Sequence, residues 1–433
     1  MSCSQPRWNR IAPVRRCTSA GGIHLKQPDN QRDKGFAAPN GASSFEAIVA
    51  GHICLDMIPD MGNAGLASIS IPGALVNVGE AVISTGGTVA NSGLALNRLG
   101  IRTGLMGKVG DDPFGRLILE TLREHGESVT DGMIVSVGEQ SSYSVVISPR
   151  GSDRIFLHCP GTNDTFTAED VPPDKLEGAR LFHFGYPPLM KRMYEDDGRE
   201  LEKLLAKVRA TGLTISLDMS RPDPDSPAGK VDWSSILRRI LPHVDLFMPS
   251  WEEIVFMVEG ADSGGGELEM NAASLSSISE RLLGMGAAVV GIKLGEEGLY
   301  VRTSGSAERL QQFGACRLSD PAAWAGRELL SPCFQATVVG TTGAGDCTIA
   351  GMICGLLNGL PIESAMTAAT AVGACSVEAL DACGGIVPWP EVKARIDAGW
   401  QRRPVELTLD GWAIEPAHGL WAGPNDRRRE SSL

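Results

Sequence analysis

The sequence predicts an α/β protein in which parallel strands joined by crossover helices carry a small additional β layer. Three observations lead there. From about residue 45 to residue 392, short β-branched runs alternate with helical patterns. Two stretches, 57–79 and 141–163, break that rhythm and read as β without helices. A Gly-rich turn at 340–345 then joins an apolar run ending at Val339 to an apolar helix beginning near Asp346.

In chain order, the apolar run 47–55 reads as a buried strand broken by Gly51. AVISTGGTVANSGLALNRLG, TGLMGKVG, GRLILETLREHG, ARLFHFG, GRELEKLLAKVRATG, LTISLDMS, HVDLFMPS, LSSISERLLGMG, AAVVGIKLG and GLYVRTSG continue the alternation. In the second irregular stretch the turn Pro149-Arg150-Gly151-Ser152 between two alternating runs signals a hairpin. Such a layer, inserted into an α/β domain, would serve as a lid. The segment 313–335 is longer than a usual connection and is expected to cover a ligand edge.

Outside this region the pattern stops. Residues 1–44 hold seven Lys/Arg against two acids and lack apolar periodicity, so a disordered tail is expected, a dispensable or misassigned start rather than an organellar address. The domain is expected over 45–400. Residues 401–433 form a polar extension whose last dozen residues are expected to lie outside the fold.

The 433 residues are 42% hydrophobic and 21% charged, the balance of a soluble protein with a sizeable core. A formal charge of −13 speaks against nucleic acid as a partner, because phosphate-binding surfaces carry a basic excess. Ten cysteines without any C-x-x-C pair signal neither a disulfide framework nor a zinc site. No run is apolar enough to span a bilayer and no secretory signal is visible. A cytoplasmic protein is the expectation.

The chemistry concentrates in VVGTTGAGDCTIAGMICGLL. Glycines let a backbone approach a ligand closely, and the first-turn N–H groups and dipole of the following helix favour an anion. Asp346 at that point is placed to take a proton from an attacking hydroxyl. A helix-cap role is the plainer alternative. The string is neither a Walker A loop nor a dinucleotide fingerprint.

TTGAGD at 341–346, Gly86-Gly87-Thr88-Val89-Ala90-Asn91 followed by Arg98-Leu99-Gly100, and GKVGDDPFG at 107–115 resemble the signatures of the phosphofructokinase B family of sugar kinases, which includes ribokinase, fructokinases and adenosine kinase. Gly51 and Asp56, Asp218-Met219-Ser220-Arg221, Pro249-Ser250-Trp251-Glu252-Glu253 and Lys293-Leu294-Gly295-Glu296-Glu297-Gly298 follow in the family's order. The resemblance covers about residues 45–400 and implies a ribokinase-like three-layer α/β/α sandwich with a β-sheet lid. It implies ATP and Mg2+ as cofactors, Asp346 as general base, and the backbone of Gly343, Ala344 and Gly345 as the phosphate cradle. Asp56, Gly86, Gly87 and Asn91 match substrate-binding positions, and a carboxylate beside an amide suits a polyol's hydroxyls. Gly295, Gly298 and Thr342 fall on the nucleotide side, near the small-residue helix TAATAVGACSVEAL. Glu253 matches an acid that helps place magnesium, through water.

Departures accompany these matches. Gly340 stands where potassium-responsive relatives carry an Asp, Ser250 replaces an Asn, and Thr88-Val89 replace the Lys-Gly of ribokinase, against ribose as substrate. His52, His183 and Cys347 read as core residues. The expected activity is phosphorylation of a sugar or polyol hydroxyl; a nucleoside kinase and a silent sugar or nucleotide sensor are the alternatives. The apolar string ASISIPGAL suggests a homodimer through the lid.

Overall fold

The computed structural model of the protein describes residues 45–150, 154–260 and 268–430; the expected tail lies outside them. Its strands are β1 (Ala47–Gly51), β2 (Cys54–Pro59), β3 (Ala81–Gly86), β4 (Thr103–Met106), β5 (Lys108–Gly110), β6 (Ile134–Ser136), β7 (Tyr143–Ile147), β8 (Ile155–Cys159), β9 (Leu181–Gly185), β10 (Thr214–Leu217), β11 (Leu246–Phe247), β12 (Val289–Lys293), β13 (Leu299–Thr303), β14 (Glu328–Ser331), β15 (Ala413–Glu415) and β16 (Leu420–Ala422).

Ten of them form the main sheet in the order β15-β16-β14-β13-β12-β11-β10-β9-β1-β4. From β4 to β12 every pairing is parallel. From β12 onward the pairings are antiparallel, so the expected all-parallel sheet is a mixed one. The strands β1, β9 and β12 are continuous apolar runs because both faces are covered. Ala47 and Val49 point into one core with the helices Thr88–Arg98, Ala344–Leu357 and Ile362–Ser376. Ile48 and Ala50 point into the other, with Arg199–Ala210, Trp233–Ile240 and Ala272–Gly284. Alternation with a period of two thus builds three layers.

The second sheet, β3-β2-β7-β8, is the lid. The run 47–55 therefore divides between two sheets. Gly51 makes the division possible, with φ +124° and so little room that an added Cβ would sit 2.4 Å from the Gly185 carbonyl. The first lid segment differs from the expectation: its strands are β2 and β3, and 60–80 is mostly irregular with one helical turn at Leu66–Ile69. AVISTG accordingly belongs to the lid and not to the main sheet. The 141–163 hairpin is present as β7 and β8, its turn residues 151–153 lying outside the described residues.

Three further expectations are corrected. No strand ends at Val339: Val338 and Val339 are exposed in an extended loop, since no neighbouring strand offers them backbone partners, and the preceding strand is β14. The segment 313–335 serves as a cover only at its end: Phe313, Cys316 and Trp324 are buried in the core and β14 lies within it, while Cys333 and Phe334 line a crevice. The described part of the extension after 401 belongs to the fold. β15 and β16 extend the main sheet, and buried Arg327 binds Glu363 at 2.5 Å, Asp426 at 2.9 Å and Glu415 at 3.2 Å.

Candidate active site

The parallel strands point their carboxyl ends at one crevice, the usual ligand position in an open α/β sheet. Tyr186 follows β9, Asp218 follows β10, Ser250 comes three residues after β11, and Lys293 closes β12. The helix Ala344–Leu357 begins at the same place, with Gly343 as a left-handed cap at φ +71°. A Cβ on Gly343 would meet that of Ala382 at 2.4 Å, which leaves glycine as the residue that fits.

Asp346, in the first turn of that helix, is 2% exposed. Its Oδ2 accepts hydrogen bonds from Asn91 Nδ2 at 3.0 Å and from the Tyr186 hydroxyl at 2.7 Å, and its Oδ1 accepts one from Ser92 Oγ at 3.2 Å. Burial, then the charge of Asp346, hold the Tyr186 phenol well above its ordinary range, so it remains a donor. Tyr186 itself is a non-glycine residue at φ +65°, a strained conformation of the kind that clusters at functional sites.

Beside the glycine turn, Lys293 Nζ donates to Asp218 Oδ1 at 2.7 Å, and a Cβ on Gly345 would lie 3.5 Å from the same nitrogen. Burial raises the Asp218 carboxyl, opposed by Lys293 and reinforced by Glu253 and Asp346. Asp218 Oδ2 is buried without a hydrogen-bond partner among the described residues. Glu253 is also raised by burial. Its Oε2 accepts from Ser250 N at 2.6 Å in a reciprocal capping box, so its plainer helix-start role is real even as it lines the crevice.

The crevice has a volume of about 550 Å³ and brings together Glu253, Lys293, Gly295, Gly298, Gly343, Ala344, Gly345 and Asp346. Phe334, Val338, Gly373 and Ala374 give it an apolar far end, and Arg403 from the extension also lines it, its guanidinium paired with Glu296 at 2.8 Å. The small residues of Ile362–Ser376 serve packing as well: a Cβ on Gly351 would meet the Ala368 carbonyl at 2.6 Å. A larger hollow of about 970 Å³ lies beside Ala272–Gly284, and Arg302 and Asn425 in its wall both donate to Ser276 Oγ.

Asp56, Gly86 and Gly87 sit at the lid side. The Asp56 carboxyl accepts from Cys54 Sγ at 3.2 Å and is raised by burial. A Cβ on Gly86 would meet Asp56 Oδ2 at 2.1 Å, and one on Gly87 would meet the His52 carbonyl at 2.5 Å, so both glycines make room for this corner. Thr342 is reached from the lid: Arg154 donates to the hydroxyls of Thr342 and, at 3.1 Å, Thr341. His183 and Cys347 are core residues as expected, His183 between Thr88 and Ser216, and Cys347 donating to the Ala382 carbonyl. His52 is also buried, its ring against His158.

Residues 46–389 match the model of the pfkB family carbohydrate kinases. The chain belongs to that family. Among curated pfkB relatives, the 2-dehydro-3-deoxygluconokinase of Bacillus subtilis is 28% identical over 310 residues, covering 68% of this chain and 80% of the relative. Among solved structures, the Arabidopsis thaliana ribokinase complexed with ribose and ATP superposes with a TM-score of 0.63 at 18% identity, over 81% of this chain and 98% of that one. The Xylella fastidiosa fructokinase with bound ATP gives 0.61 at 19%, over 82% and 98%. The fold of this pfkB kinase is the ribokinase-like one. Tyr186, Ser92, Arg154 and the Lys293–Asp218 pair were not singled out as site residues by sequence. Only HFGYPP at the end of a strand hinted at the first.

Proposed function

We propose that this kinase transfers the γ-phosphoryl group of ATP to a hydroxyl of a sugar or related polyol, with Asp346 as the general base. The observation that carries the reading is the position of Asp346: buried on the first turn of a 14-residue helix, directly after Gly343-Ala344-Gly345, with Lys293 alongside. The acceptor oxygen bonds to the γ-phosphorus, the bond from that phosphorus to the β–γ bridging oxygen breaks, and ADP leaves with the electron pair. The hydroxyl proton passes to Asp346. Oδ1, engaged among the described residues only by Ser92 at 3.2 Å, keeps a lone pair for it. The helix N-terminus and Lys293 face the charge that develops on the phosphoryl oxygens.

Magnesium fits the donor set: the unpartnered Asp218 Oδ2 and the Glu253 carboxylate would hold it through water. When bound it supplies positive charge between the phosphates and three carboxylates that share a single lysine. On the acceptor side, Asp56 and Asn91 supply an acceptor and a donor for neighbouring hydroxyls. Thr88 is turned into the core onto His183, which supports an acceptor other than ribose.

The test is a screen of pentoses, ketohexoses, sugar acids and nucleosides for ATP-dependent phosphorylation, with Asp346→Asn as control. ATP turnover with none of them would favour a sensor. We also propose that the exposed Ile71 and Leu75 of the lid dock on a second copy; an Ile71→Asp, Leu75→Asp variant that sediments like the wild type would refute this.

A further inference from the structure

The match to the family ends at residue 389, but the wall of the crevice continues past it. After the helix Trp389–Asp397 the chain runs antiparallel to the crevice loop at 333–335. Gln335 N donates to the Gln401 carbonyl and Arg403 N to the Cys333 carbonyl, each at 2.8 Å, and Trp400 Nε1 donates to the Gln335 carbonyl at 2.7 Å. The same segment holds the Phe334 ring, stacked on Trp400 with centroids 4.7 Å apart and with the Arg402 guanidinium 4.3 Å from its centre. Arg402 also donates to the Pro332 carbonyl at 2.7 Å and to Thr367 Oγ1 at 3.0 Å, so it belongs to the frame. The extension grips the turn Gly295–Glu297 as well: Arg403 pairs with Glu296 at 2.8 Å, and Glu406 N donates to Glu297 Oε2 at 2.9 Å.

Arg403 therefore stands at the apolar end of the crevice. The helix N-terminus and Lys293 mark the other end as the phosphate end, so the base of a nucleotide donor belongs beside Phe334, Val338, Gly373 and Ala374. The Arg403 side chain is 38% exposed and reaches Glu296 through Nη2, at its edge. A guanidinium held at its edge keeps a flat face, and such a face stacks on aromatic rings. Two arginines of this region already do so, Arg402 over Phe334 and Arg395 3.5 Å over Trp400. We propose that Arg403 is a further binding residue of the donor site: its guanidinium, oriented by Glu296, stacks on the base of the nucleotide and closes the crevice over it. Part of the donor's nucleoside site is thus supplied by a segment beyond the matched region. This rests on the kinase reading above but not on Asp346 being the base.

The experiment measures binding of MgADP and of magnesium tripolyphosphate, which carries phosphates and no base, together with steady-state turnover on the acceptor found by the screen. In Arg403→Ala the Kd for MgADP and the KM for ATP rise about tenfold, the scale of one partly desolvated cation–π contact. Tripolyphosphate binding stays within about twofold, and the loss appears in KM for ATP and not in kcat or in KM for the acceptor. Arg403→Lys, which keeps the charge and loses the plane, falls between the two. The backbone bond from Arg403 N to Cys333 survives both substitutions, and a urea midpoint near the wild-type value confirms that the wall still folds. The proposal is overturned if Arg403→Ala binds MgADP within about twofold of the wild type, if Arg403→Lys matches the wild type, or if tripolyphosphate is weakened as much as MgADP, which would place the guanidinium on the phosphates. A wild type that binds no MgADP would bring down the kinase reading and this one with it.

Discussion

Tyr186 and Asn91 converge on one oxygen of Asp346, the phenol at 2.7 Å and the amide at 3.0 Å, although Tyr186 stands 160 residues away in the chain and Asn91 255. Two donors on Oδ2 fix the plane of the carboxylate. Asp346→Asn keeps the shape but replaces one oxygen by NH₂, which cannot take the proton. We expect kcat to fall on the order of 10² to 10⁴ fold, with melting temperature and AMP-PNP binding close to wild type. Turnover near the wild-type value would refute the assignment.

Tyr186→Phe removes one of the two donors and nothing else from the ring. A hydrogen bond to a charged group contributes about 1.5–3 kcal/mol, so kcat should fall roughly 10- to 100-fold, less than for the loss of Asp346. A drop confined to KM, with kcat unchanged, would show that the phenol binds substrate instead of orienting the carboxylate.

The two ends of the chain should respond oppositely to removal. Deleting 1–40 takes away a stretch without apolar pattern and should leave melting temperature and activity unchanged. Truncation after Pro404 strips Glu415 and Asp426 from Arg327, a guanidinium with no exposed surface, and uncovers the edge of β14. Leaving a buried charge short of its partners costs about 3–5 kcal/mol. Urea melts of the two truncations make the comparison; equal midpoints would contradict it.

Why the extension escaped notice in the sequence follows from its composition. Its contribution to the sheet is two three-residue strands, too short to show a period, and its anchor is Asp426 next to a basic run that reads as a solvated end. By contrast β1 and β9 were legible because strands covered on both faces are uninterrupted apolar runs. The same rule misled at Val338 and Val339, which lie on an exposed loop where Val338 lines the crevice. Asp346 could be read because its glycines are local. Tyr186 and Arg154 could not, because only the topology carries them to the cradle.

His183 provides a pH test. Burial, and then the positive Lys293, lower its pKa from 6.5 to about 3. Between those values the unfolded chain takes up a proton that the folded protein refuses, so stability falls as pH is lowered through that window, by at most about 1.4 kcal/mol per pH unit. His183→Gln keeps a donor and an acceptor for Thr88 and Ser216 and has no proton to gain. Its urea-melt stability should therefore decline less than the wild type's between pH 7 and pH 5. Identical slopes would mean that His183 is protonated in the fold.

Gly340 bears on monovalent cations. Relatives that respond to potassium carry an Asp at the matching position, and its carboxylate helps hold an ion beside the phosphate turn. Here the position offers no side chain, and none of comparable length would enter without displacement: an added Cβ would already lie 2.9 Å from the Ala379 carbonyl and 3.1 Å from that of Leu380. Those carbonyls are neutral ligands. A weakly held cation depends on nearby negative charge as well as on oxygen number, so the site loses most of its attraction with the carboxylate. The turn is instead tied by backbone bonds, Val339 N and Gly340 N both donating to the Val377 carbonyl. Replacing sodium by potassium at constant ionic strength should therefore leave kcat and the KM for ATP nearly unchanged. Saturable activation by potassium in steady-state assays would show that the Ala379 and Leu380 carbonyls suffice to hold the ion.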